Sequence, residues 1–244
     1  MRKRNLYPPS QGKYFVLSRS RLENFCNCPR CFYIDRRLGV EPPGGPPFNI
    51  NSAVDHLLKK EFDHYRELGQ PHPYMTQAGL SAVPFKHEHL DEWRENFKGV
   101  RYQDPESMFE LSGAIDDLWI DTTTNELIVV DYKATAKDGE VNINADWQIS
   151  YKRQMEFYQW LLRMNGFKVS DIGYFVYCNG DRSQDSFGEK VLFKVKLIPY
   201  RGSDAWVVPT IMKAKACLDG EALPSPNPSC EQCDYLQDIK TLNI

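Results

Sequence analysis

Apolar residues follow two different periods along the chain, and together these periods predict a mixed α/β fold. They occupy every second position from Val191 to Leu197, and they fill residues 127–130 without interruption. The first pattern is typical of a half-buried strand, and the second of a buried one. Over residues 51–69 and 145–164 apolar residues recur instead at a helical spacing. The sequence therefore predicts a small central mixed β-sheet flanked by helices.

Cap and turn residues divide these patterns into elements. The predicted helices are one from Ser20 that breaks at Pro29 and closes at Gly39, one from Asn51 or Ser52 to about Gly69, and three over residues 86–97, 145–164 and 203–218. The predicted strands cover residues 108–121, 126–134, 171–178 and 190–198, with a hairpin at Thr122–Asn125. Residues 71–84 are predicted to be irregular. No G-x-G-x-x-G motif opens a helix after a strand, which argues against a dinucleotide-binding fold.

The composition is that of a globular domain. The chain has 244 residues, of which 41% are hydrophobic and 26% charged, so it can form one well-cored domain but not two large ones. No apolar run approaches the roughly 18 residues that a membrane span needs. The first residues also lack the apolar core of a secretory signal. We therefore expect a cytoplasmic protein with no membrane partner.

Charge is distributed unevenly along the chain. The formal net charge is −3, but residues 1–40 carry nine Lys or Arg and two acidic residues, a net of +7. The remainder then carries a net of −10. A basic segment of this kind suits contact with a phosphate backbone. A solvated helix face with a basic tail is the competing interpretation.

Charged residues follow the buried strand at its end. Asp131 and Lys133 lie two residues apart, so both side chains project from the same face of the strand. A hairpin partner can bring Asp116 beside them. Two carboxylates and a lysine form an oxygen-rich site for a hard divalent cation. An exposed strand end with an ion pair is the alternative.

The seven cysteines include two C-x₂-C pairs near opposite ends of the chain, Cys28 with Cys31 and Cys230 with Cys233. Two such pairs make a Cys₄ site for zinc or for an iron–sulfur cluster. The long separation between the pairs predicts a clasp that joins the two ends of the chain. Small buried cysteines placed by chance are the alternative.

Five short motifs occur in an order that resembles a known family. They are S-x-S-x-L-x-x-F-x-x-C-P-R (Ser18 to Arg30), A-V-x-H (His56), G-x-x-D (Gly113 and Asp116), V-V-D-Y-K (Val129 to Lys133) and Q-x-x-x-Y (Gln154 and Tyr158). This series resembles the RecB-like branch of the PD-(D/E)XK nuclease superfamily. It is similar to the CRISPR-associated exonucleases with an iron–sulfur cluster and to the nuclease domains of helicase–nuclease repair enzymes. The resemblance runs from about Ser18 to Tyr235.

The resemblance implies a role for each motif residue. His56, Asp116, Asp131 and the backbone carbonyl of Tyr132 would hold Mg²⁺ or Mn²⁺. Lys133 would orient the attacking water and stabilise charge on the scissile phosphate. Gln154 and Tyr158 would position the substrate strand or the lysine. Asp117 is a rival to Asp116, but the G-x-x-D spacing favours Asp116, and a step of one residue faces the other side of a strand.

The resemblance also implies a domain plan. Residues 1–244 would form one nuclease domain, with a helical region at 18–70, a catalytic core at 108–200, and a final helix and cysteine tail at 203–244. Family members that hold the cluster have one cysteine at the position of Cys28 and three more in a C-x₂-C-x₅-C tail. In this chain Ile239 stands at the position of the last of these cysteines. Cys31 could supply the fourth thiolate. Whether the site holds a [4Fe–4S] cluster or structural Zn²⁺ stays open.

Together with these observations, the resemblance implies a metal-dependent deoxyribonuclease. It would hydrolyse single strands or ends of DNA, as an exonuclease in preference to an endonuclease, in repair, recombination or CRISPR-type processing, with partner proteins in such a complex. Aromatic residues could stack on bases, for example Trp93, Trp119, Tyr151 and Trp160, although membership in the core is the stronger interpretation for most of them. The alternative is a non-catalytic nucleic-acid-binding or assembly subunit that keeps the nuclease fold. The complete set of site residues argues against that alternative.

Overall fold

A computed structural model describes residues 5–42, 44–45 and 49–242 of the chain. The chain forms two compact units. The first comprises Met1–Pro46, Arg101–Gly113 and Ala205–Ile244, and the second comprises Pro47–Val100 and Ala114–Asp204. None of the helices described combines the length and the apolar character that crossing a membrane requires. The assignment of residues 1–244 to a single nuclease domain stays a prediction.

Strands and helices alternate irregularly along the chain. The strands are β1 (Phe15–Ser18), β2 (Ala82–Pro84), β3 (Val100–Asp104), β4 (Phe109–Gly113), β5 (Asp117–Asp121), β6 (Leu127–Thr135), β7 (Ile172–Gly180) and β8 (Phe193–Arg201). The helices are α1 (Arg19–Asn27), α2 (Pro29–Arg36), α3 (Asn49–Leu68), α4 (Pro73–Gln77), α5 (Leu90–Trp93), α6 (Ile149–Met164), α7 (Val207–Asp219) and α8 (Glu231–Thr241). A 3₁₀ turn at Asp146–Gln148 leads into α6.

The second unit contains a five-stranded mixed sheet in the order β2-β5-β6-β7-β8. Strand β6 pairs antiparallel with β5 and parallel with β7, whereas β2 and β8 pair antiparallel at the two edges. The predicted hairpin joins β5 and β6, and Asn125 adopts φ 58° in its turn. Asparagine tolerates this left-handed conformation better than most residues. The mixed sheet predicted from the sequence is confirmed.

Helices cover both faces of this sheet. Leu58 and Phe62 of α3 are one helical turn apart, so both are buried against β6, where they meet Tyr132. On the opposite face, Met155 of α6 lies against Gly173 of β7. A Cβ at Gly173 would come within 2.9 Å of the Met155 side chain, so the glycine permits close helix–sheet packing. The core therefore fixes β6 between α3 and α6.

The first unit contains a smaller sheet in the order β1-β4-β3, in which β1 and β4 are parallel. Alternate residues of the two paired strands, Phe15 and Leu17 with Phe109 and Leu111, are fully buried. Helix α7 packs against α1 and α2. Pro29 begins α2, and Gly39 follows it with φ 77°. The predicted helix break at Pro29 is thus confirmed.

Some predicted elements are wrong. The single strand predicted over residues 108–121 is two strands in two sheets, because β4 ends at Gly113 and β5 begins at Asp117. The helix predicted over residues 86–97 forms only at Leu90–Trp93, where Leu90 is the buried residue, while Phe97 is 69% exposed and so adds no packing that would extend the helix. Residues 71–84, predicted to be irregular, contain α4 and β2.

Candidate active site and cysteine cluster

Asp131 and Lys133 lie on the face of β6 that α6 covers. Asp131 is fully buried and forms an ion pair with Lys133. The ammonium of Lys133 also donates to Gln154 Oε1 at 3.4 Å, and Gln154 Nε2 donates to the Tyr158 hydroxyl at 3.1 Å. Gln154 and Tyr158 are one turn apart on α6, so one helix face presents both to the strand. The structure thus brings these four predicted site residues into one chain of contacts.

Asp116 lies immediately before β5 and is held beside β6. Its Oδ2 accepts a hydrogen bond of 2.8 Å from the backbone N–H of Tyr132. Asp117 pairs with Val130 in the sheet register, so one step back along the chain places Asp116 next to Asp131. The carboxylates of Asp116 and Asp131 and the ammonium of Lys133 therefore lie close together beside β6.

The carboxylates control the charge of Lys133. Burial acts to lower the pKa of its ammonium, but the negative charges of Asp131 and Asp116 act more strongly together, and the pKa is raised. Lys133 therefore keeps its positive charge throughout the neutral range, although its side chain is only 15% exposed. A charged lysine can neutralise an anionic oxygen at this site.

Asp117 faces the opposite side of the sheet and belongs to a buried ion-pair network. Its carboxylate, which is fully buried, accepts from the guanidinium groups of Arg66 and Arg94 and from the hydroxyl of Tyr132 at 2.8 Å. Asp63 binds the same two arginines. Asp117 is therefore engaged in the core, whereas Asp116 faces the site.

Helix α3 directs a residue into the site that the sequence analysis did not single out. Asp55 lines the same cleft as Lys133, and the charge of Asp116 reaches it. Burial, together with that charge, raises the pKa of Asp55. Its neighbour His56 is exposed and lines a separate depression that includes Lys59 and Asp55. The structure does not bring His56 into the cleft, and its assignment as a metal ligand stays a prediction.

Helical periodicity could have identified Asp55. The residue precedes Leu58 and Phe62 by three and seven positions, so it shares the buried face of α3. His56 lies two positions before Leu58, about 200° around the helix from it, which turns its ring outwards. The A-V-x-H motif directed attention to the histidine instead.

The cleft between α3 and β6 has a volume of about 310 Å³. It is lined by Asn51, Val54, Asp55, Tyr132, Lys133, Ala134 and Tyr151. Carboxylate and carbonyl oxygens are the ligands that Mg²⁺ and Mn²⁺ prefer, so Asp116, Asp131 and the Tyr132 carbonyl have the donor chemistry for such an ion. The residues present therefore fit a hard divalent cation.

All four cysteines of the C-x₂-C pairs meet in the first unit. Their sulfur atoms lie within 4.8 Å of one another, and Cys31 Sγ is 3.6 Å from Cys230 Sγ and 3.5 Å from Cys233 Sγ. Cys28 Sγ is 3.8 Å from Cys233 Sγ. Among the residues that the structure describes, this is the one group of three or more His, Cys, Asp or Glu side chains gathered so closely. The cluster could bind a metal ion.

Helix ends bring the two pairs together. Cys28 precedes α2 and Cys230 precedes α8, while Cys31 and Cys233 lie in the first turn of each helix. The N–H of Asn227 approaches Cys28 Sγ at 3.5 Å. Although burial raises the pKa of Cys28, the N–H groups of Asn227 and Cys31 outweigh it and lower that pKa to about 7. A thiolate, the form that binds metal, is therefore accessible near neutral pH.

The remaining predictions fall on several environments. Of the aromatic residues proposed to stack on bases, Trp119 and Trp160 are buried, and Trp93 packs on His87 at 4.3 Å between ring centroids. Tyr151 lines the cleft. In the basic N-terminal segment, Arg36 is 8% exposed and bound to Asp35, so its charge is neutralised within the unit. Residues 2–4, which carry three of the nine basic groups, lie outside the described residues.

Comparison with known proteins gives the family of the chain. The chain is similar to the solved structure of SSO0001, with 12% identity, a TM-score of 0.40 and coverage of 86% of this chain and 79% of that chain. No curated protein sequence matches it. Residues 16–237 match the PD-(D/E)XK nuclease superfamily, and this range contains both sites described above. The chain belongs to the PD-(D/E)XK nuclease superfamily.

Proposed function

We propose that the protein is a divalent-metal-dependent deoxyribonuclease that hydrolyses phosphodiester bonds in single strands or at DNA ends. The observation that carries the proposal is the convergence of Asp116, Asp131 and Lys133 beside β6, where its pairing with β5 ends. Membership in the superfamily implies nuclease activity and nucleic-acid binding in general. DNA as the substrate, and exonuclease in preference to endonuclease action, rest on the motif resemblance to RecB-like enzymes in repair and CRISPR-type processing.

Lys133, Gln154 and Tyr158 have different roles in the proposed hydrolysis. A phosphodiester is already anionic, so extra charge develops on the phosphate oxygens as water attacks. Lys133, which is held in place by Asp131 and Gln154, supplies a fixed positive charge for an attacking water or a phosphate oxygen. Tyr158 fixes Gln154 through their hydrogen bond, so it positions the lysine indirectly.

Nucleases of this superfamily use divalent metals. We assign Asp116, Asp131 and the Tyr132 carbonyl as ligands, and Asp55, in place of the exposed His56, as the ligand from α3. Such an ion, Mg²⁺ or Mn²⁺, would neutralise charge on the phosphate and lower the pKa of a bound water. Asp55 supports this assignment because burial and the charge of Asp116 raise its pKa, as expected for clustered acids that a cation would relieve.

We propose that the cysteine cluster holds one tetrahedral Zn²⁺ ion with a structural role. Four sulfur atoms at about 2.3 Å from a zinc ion are about 3.8 Å apart in a tetrahedron. Three of the six sulfur–sulfur separations are 3.5–3.8 Å and all six are within 4.8 Å, which supports this choice. A [4Fe–4S] cluster must fit four irons and four sulfides between the same thiolates, so it needs a wider opening. The absence of a cysteine at Ile239 adds support.

Cleavage assays on the purified chain test the proposed activity. End-labelled single-stranded DNA, blunt duplex DNA and single-stranded RNA are incubated with Mg²⁺, with Mn²⁺, or with EDTA followed by excess Mg²⁺. We expect degradation of single-stranded DNA that stops in EDTA and returns with Mg²⁺. A ladder that shortens from one end would support exonuclease action, and a circular single strand serves as its matched control.

Other outcomes would reject parts of the proposal. Degradation that continues in EDTA would exclude the metal-dependent mechanism, and degradation restricted to RNA would exclude the DNA assignment. Retention of DNA without cleavage under every condition would favour the non-catalytic subunit. For the cysteine cluster, a brown protein with iron and sulfide in place of zinc would overturn the zinc assignment.

A further inference from the structure

A rigid turn lies between β6 and α6 next to the candidate active site. Gln148, which is 3% exposed, accepts from the N–H of Ala145 at 3.0 Å and donates to the carbonyl of Asn142 at 2.9 Å. These bonds anchor the 3₁₀ turn Asp146–Gln148 through its last residue. The residue before the anchor, Trp147, is directed outwards and is 63% exposed.

The exposed indole is continuous with the cleft through a second ring. Trp147 contacts Tyr151 edge to face, with 5.4 Å between ring centroids and an interplanar angle of 82°. Tyr151 lines the cleft, and the Lys133 ammonium lies 4.6 Å from its ring centroid. Two aromatic rings, perpendicular to each other, thus lie in sequence from Lys133 to the solvent.

The two rings and the charge of Lys133 together suit one kind of ligand, a nucleotide. A single exposed apolar residue is ordinary on a protein surface, but here two rings adjoin a fixed positive charge that suits a phosphate. A nucleotide combines a phosphate with a flat aromatic base, and bases stack on protein aromatic rings regardless of sequence. The faces of bases inside a duplex are already covered by their neighbours. Only the two terminal pairs of a duplex leave a face uncovered, whereas every base of a flexible single strand can offer its face to Trp147.

We propose that Trp147 and Tyr151 form a stacking subsite for an unpaired nucleobase beside the phosphate bound at Lys133. The proposal rests on the proposed nuclease function and sharpens it, because the subsite selects single-stranded DNA or frayed ends over blunt duplex. Trp147 supplies the stacking face, and Tyr151 joins that face to the cleft. The turn anchored by Gln148 holds the indole in place before the strand binds, which reduces the entropy lost on binding.

The test measures binding rather than cleavage, without added Mg²⁺ or Mn²⁺. A single-stranded oligonucleotide containing 2-aminopurine and a blunt duplex of the same length are titrated with the full chain, and with Trp147→Ala, Trp147→Phe and Phe187→Ala. Phe187 is a matched control, because it is 71% exposed and lies outside the cleft lining. We expect Trp147→Ala to weaken single-strand binding about tenfold and to abolish quenching of 2-aminopurine. Trp147→Phe should keep most of both, and duplex binding should not change.

The proposal is overturned if Trp147→Ala binds the single strand within twofold of Phe187→Ala. It is also overturned if single-strand and duplex binding fall equally, or if the unaltered chain binds no single strand. Because the readout needs no hydrolysis, it separates the subsite from the activity. A chain that binds through Trp147 but never cleaves would reject the proposed nuclease function alone. A chain that cleaves, with no effect of Trp147→Ala on binding, would reject the subsite alone.

Discussion

The two candidate sites are built in opposite ways. The cysteine cluster consists of two short motifs, each of which places its own pair of thiols at the start of a helix. The carboxylate site draws Asp116, Lys133 and Gln154 from a loop, a strand and a helix. The cysteines are soft ligands on local scaffolds, whereas the carboxylates depend on strand register and on the packing of α6 against β6.

The comparison shows how each site should respond to change. Removal of a thiolate leaves the other three without a complete tetrahedron, so the loss should appear as lost metal and lost stability. Removal of a carboxylate or of Lys133 takes away a charge that the proposed reaction needs, so the largest loss should appear in catalysis. The cysteines of the cluster therefore stabilise the fold, whereas the residues of the carboxylate site are positioned by the fold.

The largest effect should follow substitution of the reactive pair. Asp131→Asn and Lys133→Ala should each reduce the initial cleavage rate of single-stranded DNA by about 10²–10³-fold, because each removes charge needed in the transition state. Each variant also leaves the other charge of the buried pair without its partner, so the unfolding temperature should fall, and rates are compared at a temperature where every variant is folded. Asp185→Asn, an exposed acid in the loop after β7, is the control, and a rate within twofold of that control would contradict the assignment.

The cysteine cluster should respond in stability. Cys230→Ser should remove the bound metal from the chain and lower the free energy of unfolding by about 4 kcal/mol, as loss of a structural metal does. Metal analysis and denaturant unfolding measure the two effects. Cys26→Ser changes a cysteine two residues from Cys28 and outside the cluster, so it should keep the metal. Equal metal content and equal stability of the two variants would contradict the assignment of Cys230 to a structural metal site.

Adjacent aspartates should separate the two kinds of loss within one site. Asp117→Ala should lower the free energy of unfolding by about 3 kcal/mol, because it leaves Arg66 and Arg94 buried without their shared partner. Asp116→Ala should leave stability nearly unchanged and reduce cleavage. Denaturant unfolding and cleavage rates measured on both variants check this. If Asp116→Ala were the less stable of the two, the assignment of faces would be wrong.

The smallest effects concern α3. Asp55→Asn should reduce the cleavage rate about tenfold if Asp55 completes the acidic cleft. The Mg²⁺ concentration needed for the half-maximal rate should also increase. His56→Ala, on the exposed side of the helix, should change the rate by less than about twofold. The reverse order would restore His56 as the α3 ligand.

Asp55→Asn should also change how the stability of the chain depends on pH. The pKa of Asp55 is raised in the folded chain from its ordinary value of 3.8, so the folded state binds more protons between the two pKa values. Without added divalent ions, the free energy of unfolding should therefore fall as pH rises through that interval. Asp55→Asn should be more stable than the unaltered chain at pH 7, by about 0.5 kcal/mol since Asp55 is partly exposed. The difference should vanish near pH 3, as denaturant unfolding at both pH values would show.

Short motifs predicted part of the site because their geometry is local. The spacing of Asp131 and Lys133 places both on one strand face in any sheet, and Gln154 and Tyr158 share a helix face for the same reason. Asp55 was missed, although its position three residues before Leu58 on α3 was a local signal. The split of residues 108–121 into β4 and β5 could not be predicted, because both halves have strand-like patterns and only sheet pairing separates them.

The sequence by itself determined the mixed α/β class, the hairpin between β5 and β6, and the pairs of residues that one helix or strand presents together. These features depend on side-chain periodicity and on turn chemistry, which act over a few residues. Only the tertiary structure decided how closely the two C-x₂-C pairs approach, that Asp117 is buried against Arg66 and Arg94, and that Asp55 accompanies Lys133 in the cleft. Those outcomes depend on contacts between residues that are distant in the chain, and strand register and helix packing set such contacts.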